Sequence, residues 1–550
     1  MTKEKKYIAA AFLIGIIYRL LMSLQGIDSI DMGFCMTFYQ NIFNHPEAMT
    51  FYFNYYLTGL IGGVWNLLFG QFGLLGFRVL ETITVSVAIW LLYLSFRPWF
   101  HSTRVAAVAI LVSFLFPSFV LTFHYDTLSF LLMSSSVYAL SRWQQIERPI
   151  WLWTAGVMIG IAFFARIVNG SLAALILVPF VCGCLQSWKR GFTLALTFGS
   201  GMLAGSIAVL VLMLALGHWP YFMAALSEAF GTFNGNESSA LRDALPEVQN
   251  SHTSANLFSV YLKSYVNIGL QVLALAGIAL FYGDSGHLPQ KLKLPIRILL
   301  LAVLFVLVLT SQPYLSAIAI CSLLLLISRA IQPLVSYVLI CAYLFPFGSD
   351  IGIPGIFHWC AGLLILPTAC CYRKLFSTWQ KNVVCALCVA ISLLMLYKMG
   401  AAAQGEEHSR LHTTTIALPG TLNVMTDSER AERYRNEVSR IQQYGKNNPW
   451  LLIGNQASEL YYATGKLPFT GNTQMGTFMG SELIERLDRQ AADYRRLPLI
   501  VYIKRGHDTD DMPDFRRDLE PWMQKHHYTP VYEDDDLTIF TTQTSLTPNK

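Results

Sequence analysis

The stretch RLLMSLQGIDSIDMGFCMTFYQNIFNHPEAMTFYFNYYL, residues 19–57, decides how the rest of the chain is read. It follows a first apolar segment and sets two carboxylates, Asp28 and Asp31, three residues apart just beyond its end. Met32, Cys35, Met36, Tyr39, Ile42 and Phe43 then recur at helical spacing. The run stops at His45-Pro46, where the proline turns the residue before it away from helix. An aromatic, nearly uncharged helix of this kind is expected to lie in the membrane interface rather than to cross it. Two acids are thereby placed at the membrane–water boundary, and the remaining sequence reads as a frame for them.

Composition agrees with a membrane setting. The 550 residues are 54% hydrophobic and only 13% charged, with a mean hydropathy of +0.44. A soluble domain carries about a quarter charged residues, so the chain reads as a polytopic helical membrane protein. The average conceals a division into 1–400, apolar segments with short breaks, and 401–550, a water-soluble α/β domain. The first part has net charge +9 and the second −4. That distribution follows membrane topology and is no argument for nucleic acid. All ten cysteines lie in 1–400, which leaves the tail without a disulfide framework. Cys385 and Cys388 have CxxC spacing but sit inside an apolar helix, and they read as packing.

Thirteen apolar segments can be marked: 7–24, 76–96, 103–120, 126–141, 151–167, 170–187, 192–216, 259–282, 296–311, 314–328, 331–347, 354–371 and 382–399. Residues 55–69 are also apolar and are placed as a partly inserted outer helix. The loops then obey the rule that Lys and Arg favour the cytoplasm. Lys3, Lys5, Lys6, Arg97, Arg104, Arg142, Arg148, Lys189 and Arg190 fall inside, whereas Asp28, Asp31, Glu47, Glu228, Glu237, Asp243 and Glu247 fall outside. The N-terminus is cytoplasmic and its first segment a signal anchor; an odd number of spans puts 401–550 on the same outer side as Asp31. The long outer regions are 25–57, 217–258 and 401–550. In the tail, DSERAERYRNEVSRIQQYG has the carboxylate start and glycine stop of a helix. WLLI (450–453) and LPLIVYI (497–503) read as strands, helices are expected near 456–463 and 480–496, and a hairpin around Glu533–Asp536.

Each candidate residue has a plain reading beside its chemical one. Asp31 opens the expected helix and suits an N-cap; as chemistry it is a general base, poised to take a proton from an acceptor hydroxyl. Asp28 is a partner acid, a metal ligand or a solvated loop residue. Asp126, preceded by His124 and Tyr125, caps the outer end of a later segment or faces the same outer cavity as a second acid. Arg19, Arg78 and Arg166 fall within about two turns of outer segment ends, where they either snorkel or hold a phosphate. Glu81, at i+3 from Arg78, suggests an internal ion pair. His252 is a further cavity candidate in the middle loop. No His/Glu spacing defines a metal site, and a divalent ion shared by the outer acids is left open.

The order of these features resembles a known family. Arg19-Leu20, Asp31, Leu68-Phe69-Gly70 and Phe77-Arg78-Val79-Leu80 follow one another, and the helix that begins there ends at Phe96-Arg97. FHYDTLSFLLMSSSVYALSRW, IGIAFFARIVNG and, in the tail, YYATGKLPFTGN (461–472) extend the likeness. Together they resemble the GT-C superfamily of integral membrane glycosyltransferases, which includes protein O-mannosyltransferases and lipid A aminoarabinose transferases of bacteria. Met32 stands where an acid often follows the first-loop Asp, and Phe53-Asn54-Tyr55 replaces a Lys-Pro-Pro run of the lipid A enzymes. The resemblance implies a polyprenyl-phosphate sugar donor, a lipid, glycan or protein hydroxyl as acceptor, and an inverting displacement at the periplasmic face of the inner membrane. It makes Asp31 the catalytic base, with Asp28 and Asp126 assisting. A transporter or flippase, a glycan polymerase or ligase, and a binding scaffold are the competing readings.

Overall fold

In the computed structural model, residues 3–28, 31–115, 121–234, 332–347, 355–375, 409–454, 457–473, 480–504 and 515–542 are described, with 266, 318, 321 and 353 singly. Apart from those single residues, the apolar segments at 259–282, 296–311, 314–328 and 382–399 lie outside that set, as does His252. What remains is mostly helical, with several apolar helices and a strand-containing C-terminal region. Helices α1 (Lys3–Ser23), α4 (Gly73–Phe96), α5 (Thr103–Leu115), α6 (Tyr125–Ile146), α7 (Pro149–Ala165), α8 (Leu177–Cys184) and α9 (Trp188–Ala215) coincide with marked segments. Among the described residues, four stretches are long and apolar enough to cross a membrane: Lys5–Ser23, Pro46–Trp99, Ile167–Cys184 and Trp188–Ala215.

Close helix contacts in this part depend on small residues. Gly156 and Gly160 of α7 face Gly201 and Gly205 of α9, two G-x-x-x-G spacings set against each other. A Cβ on Gly160 would lie 2.0 Å from Met202 O, and one on Gly201 2.1 Å from Trp153 O, so the backbones touch. In a lipid medium that approach supplies van der Waals contact where the hydrophobic effect gives little. Hydroxyls add cross-links: Ser141 donates to Ser95 O at 2.8 Å, and Ser136 bonds both Ala155 O and the Tyr337 hydroxyl.

Helix α2 (Asp31–Asn41) forms where the apolar spacing predicts. Its setting corrects the sequence reading. Met32 through Tyr39 are all buried, so the helix is enclosed instead of lying flat with one face in lipid. On one side Gly33 meets the C-terminal region so closely that a Cβ would lie 2.1 Å from Glu459 N. On another, Gly59 and Gly62 of α3 (Tyr56–Phe69) admit the Phe38 and Tyr39 rings. Helix α3 has 14 residues, about 21 Å of rise, which is short of the roughly 30 Å hydrocarbon core. The stretch 217–258 opens with α10 (Trp219–Asn234).

In the C-terminal region, β1 (Thr415–Ala417) and β2 (Val424–Thr426) pair antiparallel. A five-stranded mixed sheet has the order β4-β3-β5-β7-β6, with β3 Trp450–Ile453, β4 Leu467–Pro468, β5 Leu499–Ile503, β6 Tyr528–Glu533 and β7 Leu537–Thr542. β3 and β5 are the strands read from WLLI and LPLIVYI, and β6–β7 is the hairpin placed around Glu533–Asp536. The helix Ser428–Tyr444 is capped by Asp427, whose side chain accepts from Arg430 N–H at 2.8 Å, and it stops at Gly445. Backbone carbonyls of this region also serve α4: Leu74 and Leu75 N–H donate to Thr421 O and Leu422 O. An exposed helix N-terminus would otherwise leave those donors to water.

Candidate active site

The loop between α1 and α2 is held from three directions. Gly26 N–H donates to Met425 O and Met425 N–H to Leu24 O, so β2 runs beside the loop. Arg430 reaches Ile27 O at 3.1 Å. Arg78, 1% exposed, spreads its guanidinium over Ser23 O (2.8 Å), Gln25 O (3.2 Å) and Gly26 O (2.7 Å). The i+3 pair expected between Arg78 and Glu81 therefore does not form. Glu81 instead pairs with Arg19 at 2.5 Å, both 1% exposed, and Arg19 also donates to Phe114 O. A lysine cannot span three carbonyls as a planar fork does. We expect Arg78→Lys to lower stability by about 1.5–3 kcal/mol, the scale of a charged hydrogen bond; thermal unfolding of the detergent-solubilised protein reads this.

The loop delivers the acids. Asp28 Oδ1 accepts from the Asp31 N–H at 3.3 Å, so Asp28 serves the helix N-terminus and half-buried Asp31 is the first helical residue. Negative charge there is favoured by the helix dipole. The second acid comes from the start of α6. Asp126, 1% exposed, takes a 2.9 Å bond from Arg166, which also donates to Phe345 O and lies 5.3 Å over the Tyr125 ring. The two acids belong to one neighbourhood, since the charges of both Asp31 and Asp126 act on Cys35, Tyr55 and Tyr125. Tyr55 and Tyr125 stack at 4.1 Å and 12° beside them, and Phe34 stacks on Tyr52 at 5.1 Å. Tyr39 bonds Phe123 O and so fixes α2 against the segment leading to Asp126.

His124 is neutral in this setting. Its Nδ1–H donates to Thr122 O at 2.8 Å, which leaves Nε2 as a bare acceptor, buried and 3.8 Å from Asp126 Oδ2. Burial, reinforced by the Arg166 and Arg19 charges and opposed by the Thr122 bond, pushes its pKa from the ordinary 6.5 down to about 4. A lowered basic pKa means that the unfolded chain binds more protons between those values, so stability rises with pH there. The contribution is complete above about pH 6.5 and is lost as pH falls towards 4. We expect thermal stability to decline from pH 7 to 4.5, and His124→Gln to flatten that decline.

Among the described residues no group of three His, Cys, Asp or Glu is placed to hold a metal ion, and no step below is routed through one.

The sequence model of the dolichyl-phosphate-mannose-protein mannosyltransferase family matches residues 57–214. Over that span, somewhat under a third of its length, the chain resembles this family of membrane glycosyltransferases. The matched span carries Arg78, Glu81, His124, Asp126 and Arg166, and includes neither Asp31 nor the strand-containing region. No curated protein matches the chain. Among the solved structures that share a likeness with the chain are two oligosaccharyltransferases. One is the oligosaccharyltransferase AglB of Archaeoglobus fulgidus in complex with an inhibitory peptide and a dolichol-phosphate, at TM-score 0.46 and 12% identity, covering 92% of this chain and 70% of that one. The other is an oligosaccharyltransferase of the same organism with zinc and sulfate, at 0.46 and 13%, covering 90% and 68%. The assignment takes nothing from these two.

Sequence reasoning did not find Arg430, the Tyr55–Tyr125 stack or Tyr52. Tyr52 donates to Asn472 Oδ1 at 2.6 Å and accepts from Thr473 N–H at 2.9 Å, which ties the first outer loop to the tail stretch that resembles the family. Nothing in their local sequence marks these residues, because each acts on a partner far along the chain, 70 positions away for the tyrosine stack and over 400 for Arg430 and Tyr52.

Proposed function

We propose that the protein transfers a sugar from a polyprenyl-phosphate donor to a hydroxyl acceptor at the periplasmic face of a bacterial inner membrane. The chain divides into a transmembrane part, 1–400, and an extracytoplasmic domain, 401–550, which packs on the side of the acids. Asp31 takes the proton of the acceptor hydroxyl as its oxygen forms a bond to the anomeric carbon. The bond from that carbon to the phosphate oxygen breaks on the opposite face, and the electron pair leaves with the polyprenyl phosphate. Configuration inverts in this single displacement.

The observation that carries the reading is the meeting of Asp31, Asp126 and Arg166 around one aromatic-walled neighbourhood. Of the three arginines, Arg166 is the one bound to a site acid, so it is assigned to the donor phosphate, where a guanidinium binds bidentately. Arg19 and Arg78 hold the frame. The bare Nε2 of His124 is an acceptor for a substrate hydroxyl. Purified protein, given hexosyl and pentosyl polyprenyl phosphates with glycan, lipid and peptide acceptors, is expected to release polyprenyl phosphate and form an inverted glycosidic bond. Donors left intact across that panel would overturn the proposal.

A further inference from the structure

At the far end of α2 from Asp31 lies a cleft of about 340 Å³, lined by Gln40, Asn66, Gly70, Thr421, Tyr462 and Thr464, with Gly420 and Gly465 at its rim. Its volume falls in the range of small-ligand sites. Three parts distant in sequence build it: the end of α2, the end of α3 with the turn after it, and, from the C-terminal region, the β1–β2 turn and the end of the helix Glu459–Thr464. None of the lining side chains is charged. Tyr462 stays a neutral phenol, because burial holds its pKa up at about 12.

We propose that this cleft binds a neutral saccharide unit of the acceptor. The wall chemistry is that of polyol recognition: carboxamides, hydroxyls and an aromatic ring, with no ion to attract a phosphate or a carboxylate. Gln40 Oε1 is buried with no hydrogen-bond partner among the described residues. A carboxamide offers both donors and an acceptor, so Gln40 and Asn66 suit the mixed hydrogen bonding of a sugar. Gly420 and Gly465 add backbone to the rim: at φ +84° and +67° each has nothing within 4 Å of where a Cβ would stand. Nine residues of α2 separate Gln40 from Asp31, about 13 Å along the axis. An acceptor occupying both ends is therefore a glycan of several units, an assignment that rests on the transfer reading above.

The test is direct binding, independent of transfer. Saturation-transfer NMR with maltotriose, a neutral hexose trisaccharide, is run on the full-length protein alongside a trisaccharide of glucuronic acid. Saturable binding of the neutral probe, weakened at least fivefold in Gln40→Leu and in Asn66→Ala, is expected. Gln40→Leu removes a buried unpaired acceptor, so its fold should be unharmed, which thermal unfolding checks. Asp31→Asn should bind the probe as the wild type does, and a wild-type protein that binds the sugar but transfers nothing in the donor assay exposes a failure of the transfer reading alone. No saturable binding, binding unchanged in both variants, or preference for the acidic probe would overturn the cleft assignment.

Discussion

Asp31→Asn should reduce the transfer rate by at least about 100-fold while leaving the protein folded, since a positioned general base contributes about 10²–10⁴. The substitution keeps the side-chain shape and removes only its capacity to accept a proton. Helix α2 should survive it, because the group that accepts the Asp31 N–H is the Asp28 carboxylate. KM for the donor should change little, as Asp31 acts on the acceptor. Asp126 is the weaker candidate for base on physical grounds: it is 1% exposed and its Oδ1 is bonded by Arg166 at 2.9 Å. A neighbouring guanidinium favours the charged form of a carboxylate and so makes it a weaker base. Measured kcat in Asp31→Asn near the wild-type value would move the base elsewhere, and parallel assay of Asp126→Asn would show whether it moves there.

How much of this was legible in the sequence depends on the range over which each residue acts. Apolar periodicity gave α2, and capping chemistry gave the Asp427 start of the 428–444 helix, because both are set by neighbours within a turn or two. The strands β3 and β5 were legible as short apolar runs for the same reason. The enclosure of α2 was not legible. A nearly all-apolar helix in a membrane protein has the same composition whether lipid or protein surrounds it, and only the contact at Gly33 distinguishes the two. The facing G-x-x-x-G pairs of α7 and α9 are printed in the sequence, but their meaning needs the knowledge that those two helices are partners. The charge partners were the hardest. A local rule pairs Glu81 with Arg78 at i+3, yet the fold brings Arg19 to Glu81 from another helix and turns Arg78 towards three carbonyls. Buried charges take the partner that completes their desolvation best, and that competition is tertiary.

The pairing of Arg19 with Glu81 leads to the second large effect. Both residues are 1% exposed, and Arg19 belongs to an apolar helix. Removing one member of a buried pair leaves the other charge desolvated without its counter-ion, at a cost of about 3–5 kcal/mol. We therefore expect Glu81→Leu to lower the thermal unfolding midpoint by several degrees in detergent. Arg19→Met with Glu81→Leu should recover most of that loss, because an apolar pair of similar volume needs no counter-charge. The same variants decide what Arg19 does. A frame residue predicts that activity follows stability, so the double variant regains transfer as it regains its midpoint. A phosphate-binding residue predicts that the double variant is stable and still inactive, with a raised KM for the donor. The first outcome is expected, since the Arg19 guanidinium is paired with Glu81 of the frame, whereas that of Arg166 is paired with Asp126 of the candidate site.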